Sequence, residues 1–235
     1  MEDIKALFFD VFGTVVDWRG SIVRELTRFG ETKGVEADWA EFADAWRALY
    51  QPSMEEVRSG HRPWVKLDQL HRESLITLLV RFGIQRLTEQ EIEQVNTAWH
   101  RLDPWPDSVA GMERLRSKYI LSTLSNGNIA LLVNMARRAG LPWDVILGAE
   151  TAQAYKPLPE CYLRNAALLG LEPEQCMLVA AHNDDLAAAQ KLGFHTAFVC
   201  RPGEHGPAQT KDLKATGDWD IEAQSFLELA SDMEC

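Results

Sequence analysis

Short apolar runs that stop abruptly at polar residues constrain this chain more than any other feature. Residues 4–9 stop at Asp10 and a Gly13-Thr14 turn. Residues 119–124 stop at Ser125-Asn126-Gly127, and 176–181 at His182-Asn183-Asp184-Asp185. A weaker run, 195–200, ends in Arg201-Pro202-Gly203. Runs of this length suit strands buried on both faces of a parallel sheet. Helical patterns over 107–118, 128–139, 159–169 and 184–192 lie between them. Asp107, Asn128 and Asp184 stand where N-caps or first-turn acids belong, and Gly140, Gly170 and Gly193 where C-caps belong. The alternation predicts an α/β fold with a doubly wound parallel sheet.

Residues 18–102 break the pattern. They show no convincing strand but repeat apolar residues at helical spacing, as in Trp39, Phe42, Ala43, Trp46 and Leu49-Tyr50, then Leu67, Leu70, Leu75 and Leu78. This reads as a helical insertion after the first strand, with Asp103-Pro104-Trp105-Pro106 as the linker back. At 235 residues the chain has room for one core domain and such an insertion. Ligands of open α/β sheets bind beyond the carboxyl ends of the strands, so an insertion leaving just after Asp10 is placed to act as a lid.

Composition narrows the function. Twenty-four Lys+Arg against 35 Asp+Glu leave a net charge of -11, which argues against a nucleic-acid partner. Cys161, Cys176, Cys200 and Cys235 form no CxxC pair and read as free thiols in a reducing compartment. The start, Met1-Glu2-Asp3-Ile4-Lys5, is acidic where a signal peptide is basic. No apolar stretch approaches the ~20 residues that cross a membrane. The expectation is a cytoplasmic protein.

Asp10-Val11-Phe12-Gly13-Thr14, Ser125-Asn126-Gly127, Lys156-Pro157 and Asp185, in this order, resemble the motifs of the haloacid dehalogenase superfamily over essentially the whole chain. The resemblance implies a Rossmann-like core of residues 1–17 and 103–235 carrying a small helical cap, 18–102. Most members are phosphatases, so membership leaves the reaction open. In phosphatases the first motif resembles Asp-x-Asp, and its second Asp protonates the leaving oxygen. Phe12 stands there in this chain, and Ala181 stands where a magnesium-binding acid is expected. Magnesium needs oxygen ligands, which neither side chain supplies. Carbon–halogen cleavage needs neither group, because a halide leaves without a proton. The chain is therefore similar to the (S)-2-haloacid dehalogenase branch, which implies no cofactor and no metal. Trp46-Arg47, Tyr155-Lys156-Pro157 with Tyr162, and Asp218-Trp219-Asp220-Ile221 resemble further features of that branch. Three positions depart from it: Ala180 replaces a serine, His182 an asparagine near the hydrolytic water, and Asp184 a tryptophan of the pocket wall. Phe12 stands where the branch often has tyrosine.

The resemblance also implies roles. Asp10 is the nucleophile that forms an ester, and Asp185 orients or deprotonates the water that hydrolyses it. Lys156 keeps both carboxylates ionised, and Arg47 receives the halide. Thr14 holds the Asp10 rotamer. Ser125 and Asn126, with the N–H groups of the following helix start, take the substrate carboxylate. Val11 and Phe12 contact substrate, Trp64 walls the halide pocket, and Tyr162 binds near the carboxylates. His182 bonds the water or the ester. A purely structural role stays open for Trp64, Tyr162 and His182, and Asp184 reads as a helix-end acid. His61, His71, His100, His195 and His205 show no metal-ligand spacing. The expected partners are a small 2-haloacid and water, with a homodimer as in related enzymes, and no nucleic acid or membrane. Two rivals are a magnesium-dependent small-molecule phosphatase keeping Asp10, Ser125, Lys156 and Asp185, and a non-catalytic binding protein. An anionic substrate on so acidic a chain requires a locally positive pocket, built by Arg47, Lys156 and helix-start amides.

Overall fold

The computed structural model describes residues 3–235, so Met1 and Glu2 of the acidic start lie outside it. The chain opens with β1 (Ala6–Phe9) and a short β2 (Val16–Asp17). Five helices follow: α1 (Trp18–Lys33), α2 (Trp39–Ala48), α3 (Tyr50–Arg58), α4 (Leu67–Arg81) and α5 (Glu89–Asn96). A 3-10 turn (Thr97–Arg101) leads into β3 (Asp103–Pro104), which pairs antiparallel with β2. Then come α6 (Ser108–Arg116), β4 (Ile120–Ser125), α7 (Ile129–Ala139), β5 (Val145–Gly148), α8 (Ala149–Ala152) and α9 (Pro159–Leu168). The chain closes with β6 (Cys176–Ala180), α10 (Asn183–Gln190), β7 (His195–Val199), β8 (Ile221–Ala223) and α11 (Phe226–Asp232).

The six long-range strands form one parallel sheet in the order β5-β4-β1-β6-β7-β8. The chain leaves β1 to build one half through β4 and β5, then returns to β6 on the other side of β1. The strand order thus reverses at β1, and such switch points open a crevice at the carboxyl ends. Asp10 is the first residue past β1, so the topology places it in that crevice. Phe8 and Phe9 are fully buried; Phe9 meets Trp143 and Phe226 edge-on at 5.4 Å each. Burying a phenylalanine contributes roughly 1.5–3 kcal/mol, which is why the strand stays apolar until it ends.

The apolar stripes of the inserted helices pack together and continue into the sheet core, Phe12 meeting Tyr50 and Trp99 edge-on. Phe42, Trp46, Met54, Leu70, Leu75 and Trp99 are buried there. Trp46 donates its indole N–H to the His71 carbonyl at 3.0 Å, and Trp99 stacks on the His71 ring. Local signals set the helix ends: Asp17 and Asp38 cap α1 and α2, a Thr88–Glu91 capping box starts α5, and Gly34 closes α1 in the left-handed conformation. The inserted helices are tied to the sheet half of the molecule. Arg58 donates to the Lys156 carbonyl at 2.8 Å, Tyr155 to the Val65 carbonyl at 2.6 Å, and Asn128 exchanges bonds with Asp68. No helix among the described residues is long and apolar enough to cross a membrane.

Candidate active site

The site is assembled from the carboxyl edge of the sheet, the start of α9 and two inserted helices, α2 and α3. Past β1, the Asp10 N–H continues the ladder to the Val179 carbonyl at 3.1 Å, which sets where its side chain leaves the sheet. The chain then turns tightly, the Val11 carbonyl accepting from the Val15 and Val16 N–H groups. That turn returns Thr14, whose hydroxyl donates to Asp10 Oδ2 at 2.8 Å and accepts from the Ala181 N–H at 2.9 Å. Gly13 has φ +92°, and a Cβ there would lie 2.1 Å from Glu204 Oε1. Only glycine fits both demands.

Past β4, the Asn126 side-chain oxygen accepts the Lys156 N–H at 2.8 Å and fixes the loop that carries the lysine. The Lys156 ammonium, 7% exposed, donates to Asp10 Oδ1 at 2.9 Å and to Asp185. Tyr162 from α9 donates its hydroxyl to the other Asp185 oxygen at 2.6 Å. Past β6, His182 Nδ1 lies 3.1 Å from Asp10 Oδ2, and its Nε2 lies 3.0 Å from Glu204 Oε2. Glu204 is buried and also accepts the Trp18 indole N–H at 3.0 Å.

These contacts decide the protonation states. Burial alone would raise the Asp10 pKa, but Lys156 and His182 hold it far below the usual carboxylate range. Burial pushes Asp185 up; Lys156 opposes that and the charge of Asp10 reinforces it, leaving it above its ordinary value. Burial would lower Lys156, yet the two carboxylates raise it strongly. Burial likewise disfavours the His182 cation, but Glu204 and Asp10 outweigh it and raise its pKa well above the ordinary value, which favours the imidazolium. Its Nδ1 lies against Asp10 Oδ2 as the cationic side of an ion pair.

Together these groups border a cavity of about 500 Å³, whose walls include Asp10, Phe12, Tyr50, Asn126, His182 and Asp185. Arg47 reaches it from α2, with its guanidinium 4.2 Å above the Tyr50 ring and 5.2 Å above the Trp18 ring. Its Nη1 is buried without a hydrogen-bond partner among the described residues. A guanidinium held by aromatic faces keeps its charge unneutralised. The arrangement joins an ionised carboxylate, a second carboxylate of raised basicity and an unpaired cation around one void.

Several expected placements differ. Trp64 does not reach the cavity; it packs on Tyr155 at 4.7 Å between ring centroids, because the Tyr155–Val65 bond draws its loop onto that ring. Val11 points into the core and is fully buried. Ser125 turns away from the cavity and accepts the Gly127 N–H at 3.0 Å, while the Ile129 N–H is taken by Glu150 at 2.6 Å. Two of the helix-start amides expected for a substrate carboxylate are thus already engaged. Asp184 is an exposed first-turn acid of α10, as read, but it also borders the cavity mouth beside Lys211. Glu204 and Tyr50 were not among the expected site residues. Glu204 carries no sequence signal in its irregular loop, whereas Tyr50 follows the Trp46-Arg47 pair at helical spacing. Likewise, spacing did not reveal that His205 Nε2 comes within 3.5 Å of Glu204 Oε1.

Comparison with known proteins places this geometry. The chain is 26% identical over 220 residues to (S)-2-haloacid dehalogenase 4A of Burkholderia cepacia, covering 91% of this chain and 90% of that one. A crystal structure of a defluorinating L-2-haloacid dehalogenase superposes with a TM-score of 0.97 at 49% identity, covering 99% of this chain and 96% of the other. A second L-2-haloacid dehalogenase structure gives 0.96 at 47% identity, covering 98% and 99%. The family model of haloacid dehalogenase-like hydrolases matches residues 4–193, and the chain belongs to that family.

Proposed function

We propose that this protein is a hydrolytic dehalogenase that converts (S)-2-haloacids to 2-hydroxy acids and halide. The observation that carries the reading is Asp10, held ionised by Lys156 and His182, sharing a cavity with the unpaired guanidinium of Arg47. An Asp10 oxygen attacks C2 opposite the halogen, the C–X electron pair leaves with the halide toward Arg47, and the centre inverts. Covalent catalysis splits one hard displacement into two easier steps. Asp185, of raised basicity and oriented by Tyr162, then takes a proton from water, which attacks the Asp10 carboxyl carbon. The oxyanion forming there meets N–H and O–H donors already in place on Oδ2, from His182 and Thr14. Collapse releases the hydroxy acid and leaves one water oxygen in Asp10. Residues 18–102 act in this reading as a cap domain over a core of 1–17 and 103–235, contributing Arg47 and Tyr50.

The donor set does not suit magnesium. The side chains of Phe12 and Ala181 offer no oxygen, and both Asp10 oxygens are already held by Lys156, Thr14 and His182. The phosphatase reading therefore has no support from the geometry. Resemblance also carries the expectation of a homodimer, which analytical ultracentrifugation tests. The decisive experiment for the activity is halide release from fluoro-, chloro- and bromoacetate and both 2-chloropropionate enantiomers, with single-turnover labelling in heavy-oxygen water. The label is expected in Asp10 first; label found only in the product would exclude the ester.

A further inference from the structure

His182, Glu204 and His205 converge on the cavity wall. Each offers one ligand atom, and these atoms lie within 4.8 Å of one another. His182 Nε2 is 3.0 and 3.1 Å from the two Glu204 oxygens, and His205 Nε2 is 3.5 Å from Oε1. Tetrahedral ligands at ~2.0–2.1 Å from a zinc ion stand roughly 3.3 Å apart, so small rotations suffice. The two imidazoles border the cavity, which leaves an open fourth position for water. Around the ligands, an outer shell is already built. His182 Nδ1 faces Asp10 Oδ2 at 3.1 Å, the carboxylate–histidine arrangement that orients metal-bound imidazoles. Trp18 holds Glu204 from behind, and Gly13 leaves it room.

We propose that His182, Glu204 and His205 form a binding site for a zinc-like divalent transition-metal ion whose occupation halts turnover. Two imidazoles and one carboxylate suit zinc, copper or nickel and disfavour magnesium. The ion takes the place of the Nε2 proton of His182, which is released to solvent, and of the Glu204 contacts of both imidazoles, while Nδ1 stays beside Asp10. A dication one imidazole away from the nucleophile draws charge from Asp10 and weakens its attack on carbon. The inhibitory part rests on the dehalogenase reading; the binding part does not.

The test is calorimetric titration of the whole chain with zinc chloride, alongside chloride release from 2-chloropropionate with and without EDTA. One zinc per chain is expected, with halide release falling at least tenfold at saturation and returning with EDTA. His205→Gln and Glu204→Gln should each weaken binding at least tenfold, with folding checked by circular dichroism and the histidine variant deciding if the glutamate variant unfolds. Absence of binding, or binding equally tight in His205→Gln, overturns the site. Site binding without loss of activity overturns the inhibition. Should the chain release no halide at all, the titration still decides whether the metal binds.

Discussion

Replacing Lys156 by methionine tests the electrostatic core of the site. The substitution keeps the volume of the stem and removes one charge between two buried carboxylates, Asp10 at 2.9 Å and Asp185. At an effective dielectric constant near 20, unit charges that close attract by roughly 6 kcal/mol, on the order of four pKa units. His182 stays beside Oδ2 at 3.1 Å and offsets part of the loss, so the Asp10 pKa should rise by at least ~2 units. The sign follows from the wild type. The folded Asp10 value is depressed, so its ionised form, and the stability it brings, hold above the unfolded carboxylate value of ~3.9 and fade only as pH falls through the lower folded value. In the variant that loss moves up, and Asp185, already above its ordinary value and also deprived of Lys156, rises with it, so the acid limb of chloride release should move up into the measured range. Breaking a buried pair costs about 3–5 kcal/mol, which lowers the melting temperature by roughly 10 °C for a chain of this size. Initial rates with (S)-2-chloropropionate from pH 4 to 9, and thermal melts, measure both. A folded variant with the wild-type acid limb would falsify the assignment of Lys156 as the group that holds the two carboxylates ionised.

Arg47→Lys should lower kcat/KM for chloride release by about 10²–10³ while leaving the circular dichroism spectrum unchanged, because an ammonium cannot take the same seat between two aromatic faces; retention within threefold would contradict its role. Tyr162→Phe removes one donor from the Asp185 carboxylate, about 1.5–3 kcal/mol, so alkylated Asp10 should accumulate during turnover in intact-protein mass spectra. Trp64→Phe should leave KM for 2-chloropropionate within about twofold, since the ring packs on Tyr155 outside the cavity; a tenfold rise would return it to the pocket wall. Gly13→Ala forces a side chain onto Glu204 at φ +92° and should cost about 1–3 kcal/mol, read from denaturant midpoints.

Asp10 and His182 were legible because a strand buried on both faces stays apolar until it ends, so the first polar residue marks the crevice; β4 carries buried Ser122 and Thr123, and Asn126 was legible instead from the Ser125-Asn126-Gly127 turn that ends it. The helical insertion was legible for a similar reason: Phe42, Trp46, Leu70 and Leu75 repeat at the period of a helix and are buried. β5 was not. Val145 and Ile146 lie at the sheet edge, only half-buried, in a four-residue run too short to separate from a loop. Glu204 was invisible for a deeper reason. It stands in the irregular segment between β7 and β8, where no period exists, and is joined to Trp18 across 186 positions. Its place beside His182 and Trp18 comes from contacts that only the folded chain creates.

The charge of -11 looked at first to require a positive pocket built by Arg47, Lys156 and amides. The structure supplies a different solution. Lys156 is shared by Asp10 and Asp185, and His182 by Asp10 and Glu204. Three carboxylates against two cations leave one negative charge at this end of the cavity, and the unpaired guanidinium of Arg47 balances it from α2. The site is therefore neutral in sum and polarised along one direction. Displacement of a halide moves one negative charge along that same direction, from the Asp10 oxygen to the leaving group. In the proposed reaction, attack discharges a carboxylate still surrounded by Lys156 and His182, and the departing anion arrives at the guanidinium of Arg47. Such an arrangement stabilises the transition state more than the resting enzyme, since the charge of Arg47 is met only when the halide carries it.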